Sequence, residues 1–282
     1  MNKSLIVAGI FGLVLFSSCE EEPLPIITEE PKAALRDTTY VNSPASAPQD
    51  KIVLFEDFTG VRCPTCPNGH TAIEALLVKY PGRIVPVGIH AGAQEFLQAA
   101  PFPGEEDLNT KWGSQILTII TKPNGIPYGI ADRLNGSNIT TQWEGLCTPR
   151  MAANSGANAE VSVIDYDPAS RELRYEVKFE IMGDLNEPLY FSTAFTEDSI
   201  IGKQEYTQGE YEHYEHNHVL RDMPQFAVNL NPSNNPPAEN GRVFIKQYSY
   251  TLPENWKPKY CHLIAYIHRA VEVLQVSEVK LQ

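Results

Sequence analysis

Two cysteines separated by two residues, Cys63 and Cys66, are the side chains of this sequence best suited to chemistry. They follow an apolar run over residues 52–58 and precede a segment with helical apolar spacing, so they are expected at the start of a helix. Unpaired backbone N–H groups and the helix dipole favour a thiolate there. The pair is therefore predicted to form a redox-active or a structural disulfide.

A zinc site is the other use of a Cys-x-x-Cys pair, and it needs two more ligands at similar spacing. The other cysteines, Cys19, Cys147 and Cys261, are isolated in the sequence. We therefore predict no metal and no cofactor at the dithiol. Cys147 and Cys261 are interpreted as two buried thiols, with a bridge between them as the alternative.

Histidines supply the candidates for a metal site elsewhere in the chain. His213, His216 and His218 lie in one polar stretch, and the last two would point the same way on a strand. The preferred interpretation is a polar hairpin or loop that binds no metal. His70, one helical turn past the second cysteine, and His90, at the end of a predicted strand, are candidates for tuning the thiolate.

The N-terminus has the features of an export signal. Lys3 precedes a twelve-residue apolar run over residues 5–16, which is too short to span a bilayer. The run ends at Cys19 and resembles a bacterial lipoprotein signal over residues 1–18, with Cys19 as the lipidated residue. The three glutamates that follow resemble the surface-export signal of Bacteroidetes lipoproteins. The alternative is an ordinary cleaved signal with a chance cysteine.

Charge and composition limit the partners. The formal net charge of −13 argues against nucleic acid, and no nucleotide-binding loop is present in the sequence. Contact with the membrane is expected through the lipid on Cys19. Residues 19–50 contain five prolines and many acids, so they are predicted to form a disordered tether.

The rest of the chain is predicted to form two domains, 51–156 and 157–282. Strands and helices alternate in the first, as an α/β domain requires: 52–58, 66–80, 84–90, 104–121, 129–133 and 140–153. Apolar residues alternate with polar ones in the second, which indicates an all-β antiparallel sandwich of immunoglobulin-like architecture. Its strands are predicted at 158–165, 173–181, 189–196, 242–251, 259–268 and 271–277.

The first of these domains resembles a thioredoxin fold. Asp57 and Phe58 stand before Cys63 at the offset that thioredoxins use, and residues 125–127, Gly-Ile-Pro, resemble the thioredoxin loop that ends in a cis-proline. The resemblance implies that Pro127 is cis and packs against the disulfide.

Catalytic roles for this dithiol follow from its chemistry. Cys63, nearer the helix start, would be the exposed attacking thiolate, and Cys66 would resolve the mixed disulfide. Asp57, buried and with a raised pKa, would relay a proton to Cys66. Pro127 would shape the substrate groove.

More narrowly, the whole mature chain resembles the outer-membrane-protein-28-related lipoprotein family of Bacteroidetes. The match rests on the lipoprotein start and on residues 56–60, 125–127 and 215–221. It implies a thioredoxin-like domain followed by a β-sandwich, located at the outer membrane and facing either the cell surface or the periplasm.

Two functions from different classes follow. The first is thiol–disulfide exchange with thiols or disulfides of other envelope proteins, which would make the chain an oxidoreductase. The second is a non-catalytic surface binding or adhesion module that uses the sandwich and loops around 198–240, with Cys63–Cys66 as a structural disulfide. The sequence alone leaves enzymatic activity open.

Overall fold

A computed structural model describes residues 33–92, 95–120, 123–185 and 187–282. The predicted signal over residues 1–18, the predicted lipidation site Cys19 and the first part of the predicted tether lie outside these residues. Within the described ranges, no helix has the length and apolar character needed to cross a membrane.

Strands dominate the described part of the chain. Three α-helices lie there, all before residue 152: α1 (Cys66–Lys79), α2 (Lys111–Ile119) and α3 (Trp143–Met151). The strands of the first half are β1 (Arg36–Val41), β2 (Val53–Thr59), β3 (Ile84–Ala91), β4 (Asn109–Thr110), β5 (Tyr128–Ala131) and β6 (Asn135–Ser137). Those of the second half are β7 (Ala157–Asp167), β8 (Glu172–Ile181), β9 (Leu189–Glu197), β10 (Ile200–Tyr206), β11 (Gly209–His216), β12 (Val219–Asn229), β13 (Arg242–Thr251), β14 (Cys261–Arg269) and β15 (Glu272–Lys280).

A mixed sheet of nine strands forms the centre of the molecule. Its order is β15-β14-β9-β12-β3-β2-β5-β6, with β4 paired to β3. Strand β3 pairs in parallel with both β2 and β12, whereas β9, β14 and β15 are antiparallel to their neighbours. A second sheet, β1-β13-β8-β7, is antiparallel throughout, and β10 and β11 form a separate hairpin.

Apolar side chains cover both faces of the large sheet. One core lies between the two sheets and contains the rings of Tyr175, Phe179, Phe191 and Phe195. Strand β2 lies in a different part of the sheet and is buried along its whole length. Its alternate residues therefore pack into two further cores, one containing residues of α2 and the other residues of α1 and α3.

The predicted fold class, an α/β thioredoxin-like domain followed by an all-β antiparallel sandwich, is wrong. The described chain is mostly β, and a helical α/β domain is not evident over 51–156. The physical reason is that the edge of β3 takes β12 as its neighbour: the Gly88 N–H donates to the carbonyl of His218 at 2.7 Å, and Val219 pairs with Gly88. Strands from before and after residue 156 are thereby joined in one mixed sheet, although a two-sheet layer does form around β7, β8, β13 and β14.

Most single elements were predicted correctly, and two stretches were not. Residues 36–41 fall in the predicted tether but form β1, which pairs with β13 from Arg36 to Val41. Residues 198–240, predicted as loops, contain β10, β11 and β12. The alternation in β11 is hard to read in sequence because its residues are polar or aromatic on both faces and mostly exposed.

Candidate functional site

The disulfide lies where β2 passes into α1. Cys63 and Cys66 are bonded to each other, and α1 begins at Cys66 with Thr65 at the N-cap and a proline in its first turn. Cys63 retains 2% of its exposed surface and Cys66 none. The predicted helix-start position is confirmed, whereas the prediction that Cys63 is exposed is wrong in this oxidised form.

The Ile126–Pro127 segment lies next to the first cysteine of the disulfide. The Ile126–Pro127 peptide bond is cis, and the Sγ atom of Cys63 is 3.7 Å from the carbonyl oxygen of Ile126. The side-chain amide of Asn138 donates to the carbonyls of Gly125 (2.6 Å) and Pro127 (2.9 Å), which fixes this loop just before β5. The structure therefore places the Ile126–Pro127 segment next to Cys63.

Asp57 lies in the middle of β2 beneath α1. It is completely buried, and neither carboxyl oxygen has a hydrogen-bond partner among the described residues. Gly69 allows α1 to approach this strand: a Cβ atom there would lie 2.7 Å from the ring of Trp143 and 3.4 Å from Oδ2 of Asp57. Burial raises the pKa of Asp57 to about 8, so the side chain is a neutral acid at neutral pH.

The hairpin formed by β10 and β11 is attached to the disulfide loop. The side-chain amide of Gln204 donates to the backbone carbonyls of Gly60 (3.3 Å) and Cys63 (3.1 Å). The backbone N–H of Glu205 donates to the carbonyl of Val61 at 2.7 Å. Gln204 is fully buried. The hairpin and the disulfide loop therefore form one hydrogen-bonded unit.

A cavity of about 160 Å³ lies between α1, β2, β3 and the β11–β12 turn. Five titratable side chains from α1, β2, β3 and β11 line it: Asp57, His70, His90, Tyr214 and His216. It opens to solvent at a rim where Glu74, Glu215 and Asn217 are exposed. The sequence links Asp57, His70 and His90 to the dithiol, but it indicates His216 only as a metal candidate and does not single out Tyr214.

The cavity histidines are neutral bases. Burial lowers the pKa of His70 to about 3 and that of His216 to about 4, and it lowers the pKa of His90 well below its usual value. Nε2 of His70 lies 2.9 Å from the Thr59 hydroxyl, and Nδ1 of His70 lies 2.7 Å from the Tyr214 hydroxyl. Both ring nitrogens of His90 lack a hydrogen-bond partner among the described residues, whereas the ring of His216 faces the backbone of Lys203.

The three predicted metal candidates are not brought together. His213 is exposed on β11, whereas His216 is buried in the cavity wall and His218 lies at its edge. His218 is instead 3.3 Å from Asp198 and 3.4 Å from Glu74. Across the described ranges, no group of three or more His, Cys, Asp or Glu side chains is arranged to hold a metal ion.

The two remaining cysteines of the described chain are not bonded. Cys147 on α3 and Cys261 on β14 are free and buried, as predicted. Burial raises the pKa of each thiol to about 12, so both are protonated and poorly nucleophilic.

Gln204 and Tyr214 are the functional-site residues that sequence reasoning missed. Tyr214 and His216 share one face of β11, so a period-two reading of residues 209–216 could have grouped them. Nothing in the sequence around Gln204 indicates its contact with a loop 141 residues earlier.

Two solved structures share this fold. HBP35 of Porphyromonas gingivalis has a TM-score of 0.64 at 16% identity, covering 82% of this chain and 76% of that one. A structural-genomics target from Agrobacterium tumefaciens has a TM-score of 0.50 at 16% identity, covering 83% and 96%. At this identity the likeness shows the fold alone. No family model and no curated protein matches the chain, so the resemblance to the outer-membrane-protein-28-related family stays a prediction.

Proposed function

We propose that this chain exchanges disulfides with dithiols of other cell-envelope proteins through Cys63 and Cys66. The observation that carries the proposal is Asp57, a completely buried carboxyl without a partner among the described residues, lying beneath the helix that begins at Cys66. A buried carboxyl with no protein partner is uncommon in folded proteins, and perturbed groups of this kind cluster at functional sites. A permanent disulfide needs no neutral acid beside it, whereas a disulfide that is reduced needs a proton donor.

The roles are assigned from position. Cys63 is the sulfur next to the Ile126–Pro127 segment, so an incoming thiolate that pairs with that segment meets Cys63 first. The electron pair of the broken S–S bond then leaves on Cys66, where the helix N-terminus stabilises the thiolate. Asp57 supplies the proton.

The test is disulfide exchange by purified protein with a reduced, unfolded protein as the dithiol. Cys63→Ser should abolish the reaction, and Cys147→Ser should react like the unchanged chain. Cys66→Ser, given the disulfide-bonded form of the same substrate protein, should trap a mixed disulfide, because the Cys63 thiolate attacks the substrate disulfide and no second cysteine resolves the product. The reduction potential of the Cys63–Cys66 pair should lie above about −300 mV. A lower potential together with no exchange would overturn the proposal.

A non-catalytic surface module with a structural disulfide is the second candidate. It is favoured by the 2% exposure of Cys63 and by the hydrogen bonds that hold the β10–β11 hairpin on the disulfide loop. The same potential measurement separates the two, because a buried structural disulfide resists reduction by a dithiol.

The proposed location is the outer membrane, through a lipid on Cys19. The lipoprotein-like start supports it, and the fold shared with a Porphyromonas gingivalis protein is compatible with the proposed Bacteroidetes relation and family. Growth with labelled palmitate should label the unchanged chain and not Cys19→Ala. Equal labelling of both would overturn the anchor.

A further inference from the structure

Three buried side chains with polar atoms line the cavity described above: Asp57, His90 and His216, which are 0%, 3% and 2% exposed. Both carboxyl oxygens of Asp57 and both ring nitrogens of His90 have no partner among the described residues, whereas the ring of His216 faces the backbone of Lys203. The two histidines do not satisfy each other, because the His90 and His216 ring centres are 6.0 Å apart.

The cavity has the size and polarity to hold water. Its volume of about 160 Å³ corresponds to roughly five water molecules at about 30 Å³ each. Buried water is stable where it finds two to four polar partners, and Asp57, His90 and His216 in the cavity wall provide them. The exposed Glu74 and Glu215 at the rim give this space contact with solvent.

A series of polar groups leads away from Asp57 along the cavity wall. Oδ2 of Asp57 lies 4.0 Å from Nε2 of His70. Nδ1 of His70 is 2.7 Å from the hydroxyl of Tyr214. The ring centres of Tyr214 and His216 are 4.9 Å apart. A neutral imidazole has one donor and one acceptor nitrogen, so it passes a proton on by taking one nitrogen's proton and releasing the other's.

We infer that this histidine-walled cavity is hydrated and carries protons between solvent and the carboxyl of Asp57. The charged and titratable groups that face it are His70 and Glu74 from α1, Asp57 from β2, His90 from β3, and Tyr214, Glu215, His216 and His218 from the hairpin and the β11–β12 turn.

Its use in catalysis rests on the proposed function. A thiolate of the substrate dithiol attacks Sγ of Cys63, the Cys63–Cys66 bond breaks, and its electron pair stays on Sγ of Cys66. Asp57 protonates Cys66, and the cavity returns a proton from solvent to Asp57. The second substrate thiolate then attacks the substrate sulfur bonded to Cys63. The substrate leaves as a disulfide, and the two protons it released balance those gained by Cys63 and Cys66.

The first test needs no redox activity. The infrared C=O band of the neutral Asp57 carboxyl, identified by its loss in Asp57→Asn, is followed in the oxidised protein after mixing with D₂O. We expect the band to shift within the mixing time in the unchanged chain and in His213→Phe, an exposed control on the same strand. His216→Phe should slow the shift at least about tenfold, and the polar His216→Gln should restore it. A slow shift in the unchanged chain, or an equally fast one in His216→Phe, would overturn the inference.

The second test measures the rate of Cys63–Cys66 reduction by dithiothreitol. His216→Phe should lower it about tenfold with a larger solvent deuterium isotope effect, and added 4-methylimidazole should restore part of the rate. An unchanged rate and isotope effect in His216→Phe, with exchange still lost in Cys63→Ser, would remove the cavity from the reaction and leave the proposed function standing. No reduction of the unchanged chain would defeat the catalytic use and the proposed function together, while the D₂O result would still decide whether the cavity conducts protons.

Discussion

The side-chain amide of Gln204 donates a 3.1 Å hydrogen bond to the backbone carbonyl of Cys63. A residue of the β10–β11 hairpin thus holds the first cysteine of the disulfide loop, and the same amide also reaches the carbonyl of Gly60. The hairpin pairs with neither large sheet in the described structure. Its position therefore depends on contacts such as these.

Gln204→Ala should loosen the hairpin over the disulfide. The change leaves buried carbonyls without their donor, which costs about 1–3 kcal/mol in the free energy of unfolding. It should also raise the rate at which dithiothreitol reduces Cys63–Cys66, because the loop opens more often. Urea unfolding and thiol trapping measure the two effects. Gln208→Ala, an exposed glutamine at the tip of the hairpin, is the control, and equal behaviour of the two variants would contradict the prediction.

Asp57→Asn should change how stability depends on pH. Burial raises the pKa of Asp57 from 3.8 to about 8 in the folded protein. Between these values the folded state holds a proton that the unfolded state has lost, so this group's contribution falls as pH rises from about 4 to above 8. In Asp57→Asn the side chain does not titrate, so the variant does not lose this stability as pH rises. Its stability relative to the unchanged chain should therefore increase with pH.

We expect that increase to reach about 2 kcal/mol or more between pH 5 and pH 9, or about 5 °C in Tm. Thermal unfolding at both pH values measures it. Asp50→Asn, at an exposed position, serves as the control. A difference between Asp57→Asn and the unchanged chain that stays constant with pH would show that the carboxyl is ionised in the folded state.

Arg133→Met should destabilise the large sheet. The guanidinium of Arg133 donates to both carboxyl oxygens of Glu56 on β2 and to the hydroxyl of Tyr266 on β14 at 2.7 Å. Removing it leaves a buried carboxylate without its partner, which costs about 3–5 kcal/mol. Urea unfolding gives the value. The exposed pair of Arg174 and Asp165 is the matched control, and Arg174→Met should cost less than about 1 kcal/mol.

Cys147 and Cys261 should be unreactive in the folded protein. Burial raises the pKa of both thiols to about 12, so the thiolate is scarce at pH 8. In a Cys19→Ser chain, a thiol reagent such as dithionitrobenzoate should find almost no free thiol under native conditions. The same chain in guanidinium should yield both thiols. Rapid reaction of either under native conditions would show that the site opens.

The sequence was informative wherever a short stretch carries its own signal. The apolar residues before Cys63 predicted β2, and the spacing after Cys66 predicted α1 within a residue of its end. The offset of Asp57 and the Gly-Ile-Pro stretch placed Asp57 and Pro127 in the site through a resemblance. In the second half, the alternation of apolar and charged residues over β8 predicted that strand almost in full, and the β-branched and aromatic residues over β13 predicted that one.

What the sequence did not contain was the order of strands in the sheets. Pairing of β12 with β3 depends on contacts between residues about 130 positions apart, and no local pattern specifies them. The cavity could not be predicted from the sequence for the same reason. His70, His90 and His216 come from three separate elements. The predicted trio of His213, His216 and His218 was instead chosen because its members are close in sequence. Side chains alternate between the two faces along β11, so His213 and His216 lie apart in space.

Strand β12 lies between β3 and β9 in the large sheet, so each half of the chain depends on the other for strand pairing. A fragment ending near residue 156 would keep the cysteines but lose the β10–β11 hairpin and β12. The edge of β3 that pairs with β12 would then be unpaired and open to association with other strands. We therefore expect that the half of the chain with the disulfide would not keep its fold if it were transferred alone into another protein. In this molecule the dithiol and the strands that follow it must be inherited together.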